Sequence, residues 1–365
     1  MLVAWLAMYL LNHVPLPGAW EIGPSGNVTP FSGPVSPSEH PFVNMWSRWD
    51  AGWYHNIAQR GYKFTAGQRS NVAFFPVYPM LIRAAHAVVH SRKDIWWLVC
   101  GIVVSNAALL GALVYLFRLT RLDFDEATAR RAVLYLLIFP TTLFLSAVYS
   151  ESVFLFFMIG SFYHARKREW WWAGLLGGIA TLSRPPGIMI FAGLLAEYMI
   201  QCEYNWRKLR LNALALSLPP LGLAGYFAYL RYADGTAAAV VDAQGTWGLG
   251  LQNPWRTIAP FFERGMATQG SMVDLGFTLA FVVLVIVIAF RLRLSYAAYA
   301  LAYLVFVTMW GSLDSMPRYV IGIFPAIILF AAFGRNQTFH RAWVPISAGL
   351  AALFMAVFAV WGWVA

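Results

Sequence analysis

The chain has little charge. Asp, Glu, Lys and Arg make up 12% of its 365 residues against 60% hydrophobic ones, roughly half the charge of a soluble domain. That shortage excludes a soluble globular domain, and a mean hydropathy of +0.60 assigns the chain to the polytopic membrane proteins, where function is sought at the charges that survive. Cysteine is scarce too. Cys100 and Cys202 both lie in apolar stretches, so no disulfide framework or metal motif is suggested, and they say little about compartment. His13, His86, His90 and His164 read as structural or interfacial side chains rather than metal ligands. No convincing internal repeat is present. Basic residues outnumber acidic ones, for a net charge of +10. In a membrane chain this excess is explained by basic loops facing the cytoplasm, and no nucleic-acid partner is expected.

What the chain does have is a succession of apolar segments. Residues 1–14 read as a first transmembrane helix, short of the usual length, with no basic region before it and no small-residue cleavage site of a signal peptide. Further spans are expected at 95–117, 131–148, 151–165, 170–183, 186–201, 211–230, 273–290, 294–311, 319–334 and 343–363. Several are shorter than a bilayer crossing, which predicts tilted or broken helices. The fold class is therefore an all-α polytopic membrane protein of about 11 transmembrane helices, one integral membrane domain over 1–365. Every second short loop is basic: Arg118 to Arg131, Arg166 to Arg168, Arg207 to Arg210, Arg291 with Arg293, Arg335 with Arg341. These loops are assigned to the cytoplasm. Two long loops, 15–94 and 231–272, then fall on the extracytoplasmic side. The first opens with a Pro-, Gly- and Ser-rich stretch, 15–41, read as non-helical. The motifs Asn27-Val28-Thr29 and Asn336-Gln337-Thr338 fit a glycosylation pattern that is frequent by chance.

The first long loop carries the densest polar stretch, Trp46 to Tyr62, with Asp50 between Trp49 and Trp53, Arg48 before it and His55 after. On a helix Asp50, Trp53, Tyr54 and Ile57 share a face. Two readings of Asp50 stand level on this stretch alone: an exposed Asp at a helix start flanked by interfacial tryptophans, or a base in a sugar- or lipid-binding cleft. The topology adds Glu151, Arg184, and Asp314 with Arg318 to the same membrane face. Arg184 precedes Pro185-Pro186 and Arg318 follows Pro317, so each arginine accompanies freed backbone amides and is suited to clamp a phosphate. Singly, each arginine reads as snorkelling to lipid headgroups; Glu151 reads equally as a helix N-terminal charge. Together on one face they favour a site.

Several motifs in order carry a resemblance: Arg48-Trp49-Asp50, Gly61-Tyr62, Phe74-Phe75-Pro76-Val77-Tyr78-Pro79, the segment Phe144 to Ser152, Ser183-Arg184 and Pro317-Arg318-Tyr319. Over residues 46–325 the chain resembles the family that adds the second mannose of GPI anchors, and its prokaryotic relatives. The resemblance implies a GT-C glycosyltransferase whose donor is a polyprenyl-phosphate sugar, typically mannose, with an acidic residue of the first outward loop serving the chemistry; by motif that residue is Asp50. The chain lacks the large inserted loops of the anchor-building enzymes, so a bacterial-type relative in the plasma membrane is expected, its acceptor a lipid or glycan.

The residue types suit that reaction. Inverting transfer needs a base, Asp50, and positive charge at the departing phosphate, for which Arg184 and Arg318 come first and Arg48 and His55 next. Trp49, Trp53, Tyr54, Tyr78, Glu151, Asp314 and Tyr319 are the expected substrate contacts. No cofactor is required by any motif; Asp50 and Glu151 are oxygen ligands of the kind a divalent metal uses. Two rivals remain. A transporter or flippase also has polar islands and Pro-broken helices, but its ionisable groups belong near mid-span. A structural scaffold leaves the clustered charges unexplained.

Overall fold

The computed structural model describes residues 20–22, 28–30, 40–263, 272–360 and 362–364. The expected first transmembrane helix, 1–14, lies outside them. So does most of the stretch 15–41, except a short antiparallel hairpin, β1 Trp20–Ile22 with β2 Val28–Pro30. Among the described residues everything else that is regular is helical. In chain order the helices are α1 Pro41–Asn44, α2 Ala51–Arg60, α3 Val77–Val89, α4 Ile95–Thr120, α5 Glu126–Leu137, α6 Glu151–Arg166, α7 Trp170–Thr181 and α8 Ile190–Gln201. Then follow α9 Leu218–Ala233, α10 Ala239–Gly245, α11 Pro254–Glu263, α12 Met272–Arg291, α13 Leu294–Thr308, α14 Met316–Tyr319, α15 Phe324–Phe333 and α16 Gln337–Ala359.

Among the described residues, four helical segments are long and apolar enough to cross a membrane: α4, Leu211–Ala233, α12 and α16. A fifth is bent, with Met316–Gly322 meeting Phe324–Phe333 at 80°. These make the chain an integral membrane protein. Among the described residues the other expected spans are shorter helices; α6 has 16 residues and α7 12, so the expected count of eleven is not confirmed there by full-length crossings. α6 is buried along most of its length, against α4, α7 and α8, and α13 packs on α8. Where α7 meets the segment before α9, a Cβ on Gly174 would lie 2.2 Å from the Ala215 carbonyl oxygen; only glycine permits that approach.

Proline explains the breaks. The expected span 131–148 stops at Leu137, ahead of Pro140, and resumes as the 3-10 turn Thr142–Leu145. The expected span 186–201 begins as a 3-10 turn over Pro185–Met189, and 319–334 bends at Ile323, with Pro325 in the first turn beyond. Broken helices leave carbonyls without partners in a medium that offers no water. Side chains supply them: Thr141 Oγ1 donates to the Pro317 carbonyl (2.8 Å), Tyr299 Oη to Gly322 (2.8 Å) and Tyr303 Oη to Tyr319 (3.1 Å). α16 begins six residues before the expected 343. Asn336 caps it, its side-chain oxygen accepting from the Thr338 and Phe339 amides at 2.8 and 3.3 Å.

The basic loops do more than follow topology. Glu197, fully buried, accepts from Arg293 Nε and Nη2 (2.7 and 2.9 Å), from Ser295 Oγ (2.7 Å) and from Gln201 (2.7 Å). Arg166 grips Asp123 with two bonds of 2.6 and 2.7 Å and also donates to Tyr296 Oη. This cluster sits at the C-terminal end of α6. Glu151 begins the same helix, about 24 Å away.

Candidate active site

At that opposite end four charged side chains form one chain of contacts: Asp50, Arg318, Glu151, Arg184. Arg318 Nη1 donates to Asp50 Oδ2 at 2.5 Å, and its Nε edge donates to Glu151 Oε1. The same Glu151 oxygen takes Arg184 Nη1. Glu151 is 1% exposed, both arginine side chains 6%, and Asp50 20%, so Asp50 alone reaches appreciably toward open space. Glu151 Oε2 is buried without a hydrogen-bond partner. The guanidinium groups are also stacked on rings: Arg318 lies 4.6 Å from the Tyr149 centroid and 5.4 Å from Phe144, and Arg184 5.3 Å from Tyr319. Planar cations on aromatic faces are held in orientation as well as in charge.

Local structure positions each member. Asp50 occupies the N-cap position of α2, yet its side chain makes no cap bond; the bland reading of a helix-start Asp fails because the carboxylate is turned to Arg318. Its backbone N–H donates to Tyr149 Oη (3.2 Å), and that hydroxyl donates to the Arg48 carbonyl (3.0 Å). Tyr149 therefore fixes the Asp50 loop and one face of Arg318 together. Trp49, just before Asp50, has φ +52, and Ser315, which begins the turn carrying Arg318, has φ +73. Left-handed backbone at non-glycine residues is strained and persists where surroundings over-determine it.

The network forms part of the wall of a cavity of about 390 Å³, which Asp50, Tyr54, Arg184, Asp314, Arg318 and Tyr319 line. Aromatic residues not assigned a role in the sequence complete it: Phe74, Phe75, Trp247, Trp310 and Trp363, with Gln244 beside Trp247. Phe74 and Phe75 are seated by Asn71, which bonds Asn56 (2.9 Å) and the Gly61 carbonyl (3.1 Å). Trp247 is brought in because the loop after α10 pairs with the end of α13, Gly250 N donating to Trp310 O (3.1 Å) and Gln252 N to Met309 O (2.8 Å). Nothing local in the sequence marks that pairing.

Other expected site residues fall elsewhere. Arg48 does not line the cavity. Its guanidinium donates twice to the Ala359 carbonyl (3.0 and 3.2 Å), and burial lowers its pKa to about 10; it ties the Asp50 loop to the end of α16. His55 points away, on the side of α2 near Asp94 and His86. Burial pushes its pKa below the ordinary value against the pull of Asp94, and Nε2 is buried without a hydrogen-bond partner. Tyr78 is fully buried, bonded to Ser105 Oγ (2.8 Å) and the Gly101 carbonyl (3.0 Å). Trp53 and Trp49 stand behind the wall, Trp53 stacked on Phe74 at 5.5 Å and Trp49 edge-on to Trp363 at 5.2 Å. Glu151 lies beneath the surface rather than on it. Among the described residues no three His, Cys, Asp or Glu side chains gather as metal ligands.

The bundle and the ion network at this end define an integral membrane protein with a charged, aromatic-walled cavity at the end of its helices. The chain belongs to the Mannosyltransferase (PIG-V) family, which it matches over residues 28–215. It is 26% identical to a GPI alpha-1,6-mannosyltransferase 2 of Cricetulus griseus over 216 residues, 54% of this chain and 43% of the relative. It is 32% identical to a GPI mannosyltransferase 2 of Cryptococcus neoformans over 151 residues, 39% of this chain and 34% of the relative. The matched region thus spans less than half the length of these relatives. Among solved structures it is similar to ArnT from Cupriavidus metallidurans bound to undecaprenyl phosphate, with TM-score 0.48 and 14% identity over 99% of this chain and 75% of that one. It is also similar to the Archaeoglobus fulgidus oligosaccharyltransferase, with TM-score 0.42 and 14% identity over 98% and 52% of the two chains.

Proposed function

We propose that the protein transfers a mannosyl residue from a polyprenyl-phosphate sugar to a lipid-linked or glycan acceptor, at the extracytoplasmic face of the membrane. The observation that carries this reading is the arrangement of one partly exposed carboxylate, Asp50, beside two buried guanidinium groups on one cavity wall. Transfer with inversion needs just these functions. The acceptor hydroxyl attacks the anomeric carbon and gives its proton to Asp50. The bond from that carbon to the phosphate oxygen breaks, and the polyprenyl phosphate departs with the electron pair, stabilised by Arg318 and Arg184. One carboxylate suffices because the leaving group is already a phosphate and needs no acid. Trp247, Trp310 and Tyr319 offer faces for sugar rings, and prenyl chain would lie along the apolar helix surfaces. Family membership favours glycosyl transfer over transport. The test is incubation of the purified protein with labelled polyprenyl-phosphate-mannose and a panel of lipid acceptors. Label should move to one acceptor class, and Asp50→Asn should stop it; transport of intact donor without transfer would refute the proposal.

A further inference from the structure

The four charges of the network sum to zero: two carboxylates, two guanidinium groups. A phosphodiester entering the cavity brings a fifth charge, and it meets an Asp50 carboxylate already bonded to the arginine that should receive it. The members are not equally free to move. Glu151 is sealed at 1% exposed and holds Arg318 through Nε and Arg184 through Nη1, while Asp50 is 20% exposed and touches Arg318 only at Nη1. Asp50 also makes no cap bond to α2 that would hold its side chain. The Nη1 edge is thus the exchangeable one.

We infer that the Asp50–Arg318 ion pair is the resting form of the site, and that the donor phosphate takes the Nη1 edge of Arg318 from Asp50 while Glu151 keeps the Nε edge. The base is then released only in the donor-bound site. Glu151 acts as the positioning residue of the exchange, because it prevents Arg318 from leaving with Asp50. An acceptor arriving first meets a carboxylate whose Oδ2 is already bonded to Arg318 Nη1. Asp50 is therefore free to take the acceptor proton only once the donor is in place. This inference rests on the proposed mannosyl transfer and adds a regulation of the same site.

The exchange predicts an effect opposite in sign to that of an ordinary substrate contact. Asp50→Asn removes the competitor, so a short-chain isoprenyl phosphoryl-mannose should bind the variant more tightly than the wild type. About tenfold is expected, between the value of an exposed ion pair and that of a buried one. Arg318→Ala should lose most binding. Equilibrium binding is measured on detergent-purified full-length protein of verified fold, and Asp50→Ser repeats it should the amide rearrange the loop. Equal or weaker binding by both Asp50 variants, with binding still lost in Arg318→Ala, would overturn the exchange and leave mannosyl transfer standing. Binding unaffected by Arg318→Ala would place the phosphate elsewhere and overturn the exchange. A wild type that does not bind the probe at all would remove the donor assignment and this inference with it.

Discussion

Glu151 is the residue whose removal the structure makes most consequential. Its one oxygen, Oε1, receives both arginines. At an effective dielectric of about 20 a charge pair near 4 Å is worth roughly 4 kcal/mol, offset by desolvation of both partners. In Glu151→Ala the two arginines fare differently. Arg318 keeps Asp50; Arg184 keeps only the Tyr319 ring face, with no other carboxylate in contact among the described residues. A buried cation left unpaired costs about 3–5 kcal/mol, a large part of the ~5–15 kcal/mol that holds a folded protein together. With about 2 °C lost per kcal/mol in a chain this long, the thermal midpoint in detergent should fall by ~6–10 °C. Glu151→Gln retains the oxygen acceptor but removes the negative charge between the two guanidinium groups, so the midpoint should fall by less, yet transfer should still drop because Arg318 is held less firmly. The double variant Glu151→Ala, Arg184→Ala should recover part of the loss, since it deletes the orphaned charge along with its partner. Wild-type stability and wild-type turnover in Glu151→Ala would refute the assignment of Glu151 as the common anchor.

Four further outcomes are expected. Asp50→Asn should lower turnover by roughly 10²–10⁴-fold, and single-turnover rates with donor pre-bound should show the loss in the chemical step. Lysine at 184 or 318 should restore donor binding only in part, since a point charge lacks the two-pronged guanidinium geometry; titration with donor would show it. A Cβ at Gly187 would meet the Ala180 carbonyl oxygen at 2.5 Å and Thr181 Cα at 2.7 Å, whereas one at Gly225 meets nothing within 4 Å. Gly187→Ala should therefore lower both stability and transfer by displacing the turn after Arg184, while Gly225→Ala should leave the thermal midpoint unchanged or raise it. Burial holds the His55 pKa below the ordinary value, so the unfolded chain binds a proton there that the folded one refuses. Stability should fall as pH drops below about 6.5, and His55→Phe should flatten that part of a thermal-unfolding pH series.

Much of the fold was legible because membrane insertion is a local property. Hydropathy marks α4 and α12 within a few residues, and α16 with a start six residues late, since an apolar run and its charged ends are contiguous in sequence. Pro185-Pro186 marked the break after Arg184 for the same reason, a missing amide acting on its own turn, whereas the breaks at Pro140 and at Ile323 fall inside the expected spans 131–148 and 319–334. The site was legible in part. An ionisable residue in an apolar chain needs a partner wherever it ends up, so Asp50, Glu151, Arg184 and Arg318 stood out before any contact was known. Which of them pair was decided by packing alone. Arg318 meets Asp50 across 268 positions and Glu151 across 167, and no local pattern encodes such a meeting. The same holds for Arg48, similar in sequence to a phosphate ligand, whose guanidinium is taken by a carbonyl 311 residues away. It holds for Trp247, carried to the cavity by a loop that pairs with the end of α13. Residue chemistry set which side chains had to find partners; the packing of the helices, each satisfying the backbone groups its neighbours leave open, determined who those partners are.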